Sequence, residues 1–215
     1  GRSILLEGDY AFLASSIGLH VIDVSNPTNV PTLGSLEIPN YSPSIEMGSG
    51  VVYVGNGELA GTGHGALHVV GVSDPSNPVL LGTLETWEVR GIALSGSHAI
   101  LACGGSGLRV ASVLDPTNPV IVGARNTPGN CEDVEVTSSG THAVIDDGLS
   151  SIVIMTIANP ANPQIVSTIG GSCSDIAISG DLLLVVGTAI DMGSFQVIDI
   201  SVPASPVPLG SLSFN

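Results

Sequence analysis

Carboxylates and thiols at matching places are the chemistry-bearing residues of this chain. Asp133 follows Glu132 at the start of one short apolar run, and Asp175 holds the equivalent place before another. Paired carboxylates of this kind serve acid/base chemistry or hold Ca²⁺. A plainer reading has each aspartate accept backbone amides and fix the loop leading into its strand. Arg2 and Arg90 carry the complementary charge, either to neutralise these acids or to grip an anionic group of a ligand. Cys131 and Cys173 stand three residues before Val134 and Ile176. A disulfide would join them if their Cα atoms came within about 7 Å; otherwise they are buried thiols. Cys103 and His64 add two more soft ligands, but the spacing matches no zinc pattern. Glu58, His64, Trp87, Asp147 and Asp191 complete the ligand-binding candidates, on segments that read as loops. No Ser/His/Asp arrangement is readable, and no catalytic residue is assigned. Gly104-Gly105-Ser106-Gly107 joins two strands, so it is not a phosphate loop opening a helix.

A repeated segment positions these groups. It reads GLHVIDVSNPTN from Gly18, ALHVVGVSDPSN from Ala66, GLRVASVLDPTN from Gly107, SIVIMTIANPAN from Ser151 and SFQVIDISVPAS from Ser194. Its prolines, Pro27, Pro75, Pro116, Pro160 and Pro203, are spaced by 48, 41, 44 and 43 residues. Each unit offers four strand signals. A short apolar run is followed by a glycine turn such as Gly8-Asp9 or Gly180-Asp181, then by a largely apolar second strand, as in Leu182–Val186. The third strand carries the repeated segment, and proline ends it because it has no amide to donate. Asn26, Asp74, Asp115 and Asn159 are placed to form Asx-type turns. A fourth strand follows. A period in this range with four strands per unit marks a β-propeller blade. We therefore expect an all-β, five-bladed β-propeller with four antiparallel strands per blade, forming one domain over 1–215. The expected blades cover approximately 1–40, 41–87, 88–129, 130–171 and 172–215. Five units fit without remainder, and closure would rest on packing of the first against the fifth. The loops into first strands and those between second and third strands then share one face. That face collects the candidates named above.

Composition narrows the partners. There are 19 acidic residues against four Lys+Arg, a formal charge of -15. Such a charge repels phosphate backbones and anionic membranes, so neither nucleic acid nor a membrane surface is expected as partner. No apolar run approaches the roughly 20 residues of a membrane helix. No basic segment or cleavage site opens the chain, so no signal peptide is expected. High apolar content with few charges suggests surface covered by a partner, in a homo-oligomer or a larger assembly.

The runs LHVIDV (Leu19–Val24) and FQVIDI (Phe195–Ile200), with the D-P-x-N-P-V-x-x-G stretches at Asp74–Gly82 and Asp115–Gly123, resemble the LVIVD repeat family. The fourth unit departs from it, with Ile154-Met155-Thr156 where Asp is usual, and the fifth has Val202 before its proline. The resemblance implies a β-propeller of an exported or surface-attached protein: extracellular, periplasmic or on the cell surface. It brings no catalytic signature. The expected function is a non-catalytic binding or assembly module presenting loops to a protein or glycan, with no cofactor unless the carboxylates hold Ca²⁺. The alternatives are a propeller glycoside hydrolase or lyase using axial carboxylates, or a self-assembling structural subunit.

Overall fold

The computed structural model describes residues 3–38, 44–57, 64–148, 151–171, 173–189 and 192–214. Among them every regular element is a strand, and the strands form five four-stranded antiparallel sheets, each a simple meander. The first sheet contains Ser3–Glu7 (β1), Tyr10–Ser15 (β2), Gly18–Asp23 (β3) and Thr32–Glu37 (β4). The second contains Ser44–Gly48 (β5), Val51–Asn56 (β6), His64–Gly71 (β7) and Val79–Trp87 (β8). Gly91–Ser95 (β9), His98–Ala102 (β10), Leu108–Ser112 (β11) and Val120–Arg125 (β12) make the third. Asp133–Val136 (β13), His142–Asp146 (β14), Ser151–Thr156 (β15) and Gln164–Gly170 (β16) make the fourth. The fifth contains Asp175–Ser179 (β17), Leu182–Ala189 (β18), Met192–Asp199 (β19) and Val207–Phe214 (β20). Each sheet falls inside one expected blade, and the fold class is the five-bladed β-propeller.

Two compact units organise the chain: Gly1–Leu94 with Ser112–Val120, and Ser95–Ala111 with Ile121–Asn215. In the first, Phe12, Ala14, Leu19, Val21 and Ile38 of blade one pack with Ile45, Val52, Val54, Val70 and Val72 of blade two. In the second, Val144, Ile152 and Ile154 of blade four pack with Ile176, Leu183, Val185, Ile198 and Ile200 of blade five. Burying each such side chain contributes roughly 1.5–3 kcal/mol. The second strands are largely apolar, and β10 and β14, covered on both faces, are buried except at their first residue.

The Asx-Pro segments fold as expected. Asn26 Oδ1 accepts from the Thr28 amide (3.1 Å), Asp74 from Ser76 (3.0 Å), Asp115 from Thr117 (2.9 Å) and Asn159 from Ala161 (3.2 Å). All are local hydrogen bonds that stop the third strand. These turns also join neighbouring blades. A Cβ added at Gly34 would lie 2.6 Å from the Pro75 carbonyl oxygen, and one at Gly82 would lie 2.5 Å from that of Pro116. Gly123 is crowded in the same way by Pro160. Blade four has Ser167 at this place, and its Oγ donates to the Pro203 carbonyl at 2.6 Å. Each of these fourth strands is thus a socket for the proline carbonyl of the next blade. A bulge precedes the socket's partner pair at Val21/Ile22, Val69/Val70, Ile154/Met155 and Val197/Ile198.

Candidate functional site

The carboxylates of blade four gather where β13 begins and β14 ends. Asp133 and Asp146 are register partners across that strand pair. The Glu132 amide donates to the Asp146 carbonyl at 2.8 Å, and the Asn130 amide to that of Asp147 at 3.2 Å. Asn130 Nδ2 also donates to the Glu132 carboxylate. Three of these acids each hold a backbone amide with one oxygen. Asp146 Oδ1 accepts from Gly148 (2.9 Å), Asp147 Oδ2 from Gly129 (2.7 Å) and Asp175 Oδ1 from Ile176 (3.0 Å). Asp147 is fully buried, and its Oδ1 has no hydrogen-bond partner among the described residues. Burial raises Asp133 to about 6, helped by the charges of Asp175 and Asp146 and opposed by the Val134 amide. Asp146 is raised as well, again chiefly by burial. Among the described residues no group of three His, Cys, Asp or Glu is arranged to hold a metal ion.

Cys103, Cys131 and Cys173 are buried thiols, so the disulfide considered for Cys131 and Cys173 does not form. Equivalent positions in adjacent blades did not bring them together. Cys131 exchanges backbone hydrogen bonds with Gly104 (2.9 and 3.0 Å), which sets it beside Cys103. The Cys173 thiol instead donates to the Asp175 carbonyl at 3.5 Å and lies by Asp146. Burial pushes Cys173 up to about 12 and drives Cys131 well above its ordinary value.

A different constellation occupies blade two. His64, read from sequence as a loop residue, opens β7 and pairs directly with Trp87 at the end of β8. The hairpin continues further than its apolar pattern indicates. His64, Glu85, Thr86 and Trp87 line a surface pocket of about 210 Å³. Trp87 is 42% exposed, whereas Thr86 is buried and its Oγ1 lacks a hydrogen-bond partner among the described residues. Arg90 pairs with Glu88 at 2.8 Å. Arg2, Glu58 and Asp191 lie outside the described residues. Sequence reading passed over Glu85 and Thr86, which look like ordinary fourth-strand residues, and Arg109, which is buried in β11 and donates to the Leu108 carbonyl at 3.0 Å.

At the turn ends of blades four and five lies a second cavity of about 270 Å³, lined in part by Thr137, Ser139, Thr141 and His142. Ser139 Oγ and Thr141 Oγ1 are 2.7 Å apart, and Thr141 Oγ1 and His142 Nδ1 are 3.0 Å apart. Thr137 Oγ1 donates to the His142 carbonyl, so this chain of hydroxyls ties one turn together.

The LVIVD repeat matches residues 1–36, 60–86, 88–127 and 170–213. Blade four, the unit that departs most from the motif, falls outside these segments. The chain is similar to the crystal structure of a functionally unknown protein from Desulfotomaculum acetoxidans, with a TM-score of 0.81 and 13% identity, covering 98% of this chain and 69% of that one. It is also similar to Sqt1 from Chaetomium thermophilum (TM-score 0.70, 16% identity, covering 97% of this chain and 56% of that one). The Sqt1 structure bound to the N-terminus of the ribosomal protein L10 gives a TM-score of 0.68 and 18% identity, covering 94% of this chain and 58% of that one. The chain thus spans little more than half the length of the Sqt1 structures. At such identities the likeness is one of fold. No curated protein matches the chain. With more than half of its residues matched by the repeat, the chain belongs to the LVIVD repeat family.

Proposed function

We propose that this protein is a non-catalytic, exported or surface-exposed binding module whose partner is a protein, engaged at the Trp87 end of blade two. One observation carries this reading. The chain's single tryptophan stands exposed beside a pocket lined in part by Thr86, whose buried Oγ1 has no hydrogen-bond partner among the described residues. Exposed tryptophan beside a small pocket is the usual make-up of a protein-binding hot spot, and a buried hydroxyl gains most when a partner completes it. Support of a weaker kind comes from the fold, since the similar Sqt1 structure holds a segment of a ribosomal protein. The carboxylates contribute framework: one oxygen each of Asp146, Asp147 and Asp175 accepts a backbone amide. Placement outside the cytoplasm rests on the family resemblance and the acidic, lysine-free composition.

A photoreactive amino acid at position 87, used in extract from the native source, tests the proposal. A protein adduct of one defined mass, absent when the probe sits at the exposed Val202 and lost with Thr86→Val in the probe-bearing chain, is expected. Equal labelling at both positions, or a glycan as the adduct, would refute a protein site here.

A further inference from the structure

We infer that the hydroxyl-lined cavity at the turn ends of blades four and five is a binding site for a neutral sugar. This inference is independent of the reading at Trp87. It starts from the length of one turn. Two residues separate the first and second strands of blades one, two, three and five, whereas residues 137–141 separate those of blade four. The four-stranded blade therefore does not require the longer turn. The turn is nevertheless held firmly. Ser95 Oγ donates to the Gly140 carbonyl and the Ile157 amide to the Thr141 carbonyl, each at 2.8 Å, and the Gly140 amide donates to the Thr137 carbonyl at 2.7 Å. A loop fixed in this way loses little freedom when a ligand arrives.

The side chains of the turn form one directed chain. Thr137 Oγ1 gives its single proton to the His142 carbonyl. Ser139 Oγ, 3.1 Å away, must then donate to Thr137. Thr141 in turn donates to Ser139 across 2.7 Å, which leaves Thr141 Oγ1 to accept from His142 Nδ1 at 3.0 Å. Only in this direction does each contact hold one proton. The count assigns the Nδ1–H tautomer, so the other ring nitrogen, Nε2, is an acceptor. Burial holds the imidazole below its ordinary pKa, and it is neutral at pH 7.

The lining selects the class of ligand. The exposed carboxylate of Asp181, on the Gly180-Asp181 turn of blade five, shares the cavity with His142 and is likewise an acceptor. A ligand that meets both must bring donors, and vicinal hydroxyls do so. Ser201 adds a hydroxyl able to donate or accept, while Ile200 and Pro203 offer apolar surface to the C–H face of a ring. At about 270 Å³ the cavity falls just short of the roughly 300–1,000 Å³ of drug-sized sites and suits a single ring. Among the described residues no lysine or arginine lines it, which disfavours phosphate or carboxylate. The aromatic and arginine anchors of a protein hot spot are also missing from that described lining.

Saturation-transfer NMR of the whole chain at pH 7 with glucose, galactose and mannose, each free and as its methyl glycoside, tests this. Saturation of the ring protons of at least one sugar is expected. A methyl glycoside that binds as well as its free sugar assigns the ligand to the end of a glycan; binding of the free sugar alone assigns it to a soluble sugar, and either supports the site. Asp181→Ala should weaken binding at least tenfold with an unchanged melting temperature. Asp9→Ala should leave it unaltered, since Asp9 holds the equivalent turn of blade one, its carbonyl accepting from Val24 as that of Asp181 accepts from Ile200, both at 2.8 Å. Long-range proton–nitrogen spectra of the free protein should show the Nδ1–H tautomer at His142. The proposal is overturned by silence from every sugar, by saturation that survives Asp181→Ala, or by an Nε2–H tautomer. Binding of butylammonium or inorganic phosphate at this cavity in place of the sugars overturns it too.

Discussion

Replacing Asp133 by asparagine should stabilise the protein at neutral pH and do nothing in acid. Asp133 begins β13 and faces Asp146 across the strand pair. Burial lifts its carboxyl from 3.8 to about 6, with Asp175 and Asp146 adding to the effect. The sign follows from proton binding. Between those two values the folded chain keeps the proton while the unfolded chain releases it. The folded state then binds more protons, so stability falls as pH rises through this window. Below it both states are protonated and the contribution is complete; above about 6 it has been lost. One pKa unit corresponds to about 1.4 kcal/mol, so the two-unit shift amounts to roughly 2–3 kcal/mol at pH 7. Asparagine has no charge to desolvate and retains an oxygen for the Val134 amide. Asp133→Asn should therefore match the parent protein near pH 3.5 and exceed it by roughly 2–3 kcal/mol at pH 7.5, a rise of about 5–10 °C in Tm for a chain of this size. Thermal melts of both proteins across pH 3.5–8 provide the measurement. Parallel curves, or a variant less stable at pH 7.5, would refute the burial argument and show that the ionised carboxylate is stabilised by its site.

The inter-blade sockets predict two further effects. Gly82→Ala forces a methyl to within 2.5 Å of the Pro116 carbonyl oxygen and should cost about 1–3 kcal/mol in urea denaturation, whereas Gly210→Ala, in open space, should cost little. Ser167→Ala removes the 2.6 Å hydrogen bond to Pro203 and should lose about 1 kcal/mol by the same measurement. Because burial holds Cys131 and Cys173 in the thiol form, a thiolate-selective reagent at pH 8 should leave both unmodified in the native protein and label them on unfolding. Mass spectrometry of the labelled chain checks this, and rapid native labelling of Cys131 would contradict its burial.

Much of the scaffold was legible because a propeller blade encodes itself within one repeat. The Asx-Pro turns, the glycine hairpins and doubly covered second strands such as β10 each follow from residues a few positions apart. What lies between repeats was harder to read. Gly34 and Gly82 look like pliable strand glycines, yet their small size serves the carbonyl of the next blade, a contact with no local pattern. Cys131 and Cys173 illustrate the converse. Matching positions suggested a bond, but the Gly104 bridge draws Cys131 toward blade three. His64 was misplaced for a third reason: backbone pairing with Trp87 carries the hairpin past the apolar run that announces it.

The carboxylates of blade four take part in its framework. Asp133 and Asp146 face one another, and burial pushes both in the same direction. One oxygen of Asp147 accepts from the Gly129 amide and one of Asp175 from that of Ile176. Ser167 makes the complementary case, for it replaces a glycine and still serves the neighbouring turn by adding a hydrogen bond. Polar groups in this chain are spent on holding blades to blades and loops to strands. Recognition is then left to surfaces that such bonds do not consume, among them the pocket beside the exposed Trp87.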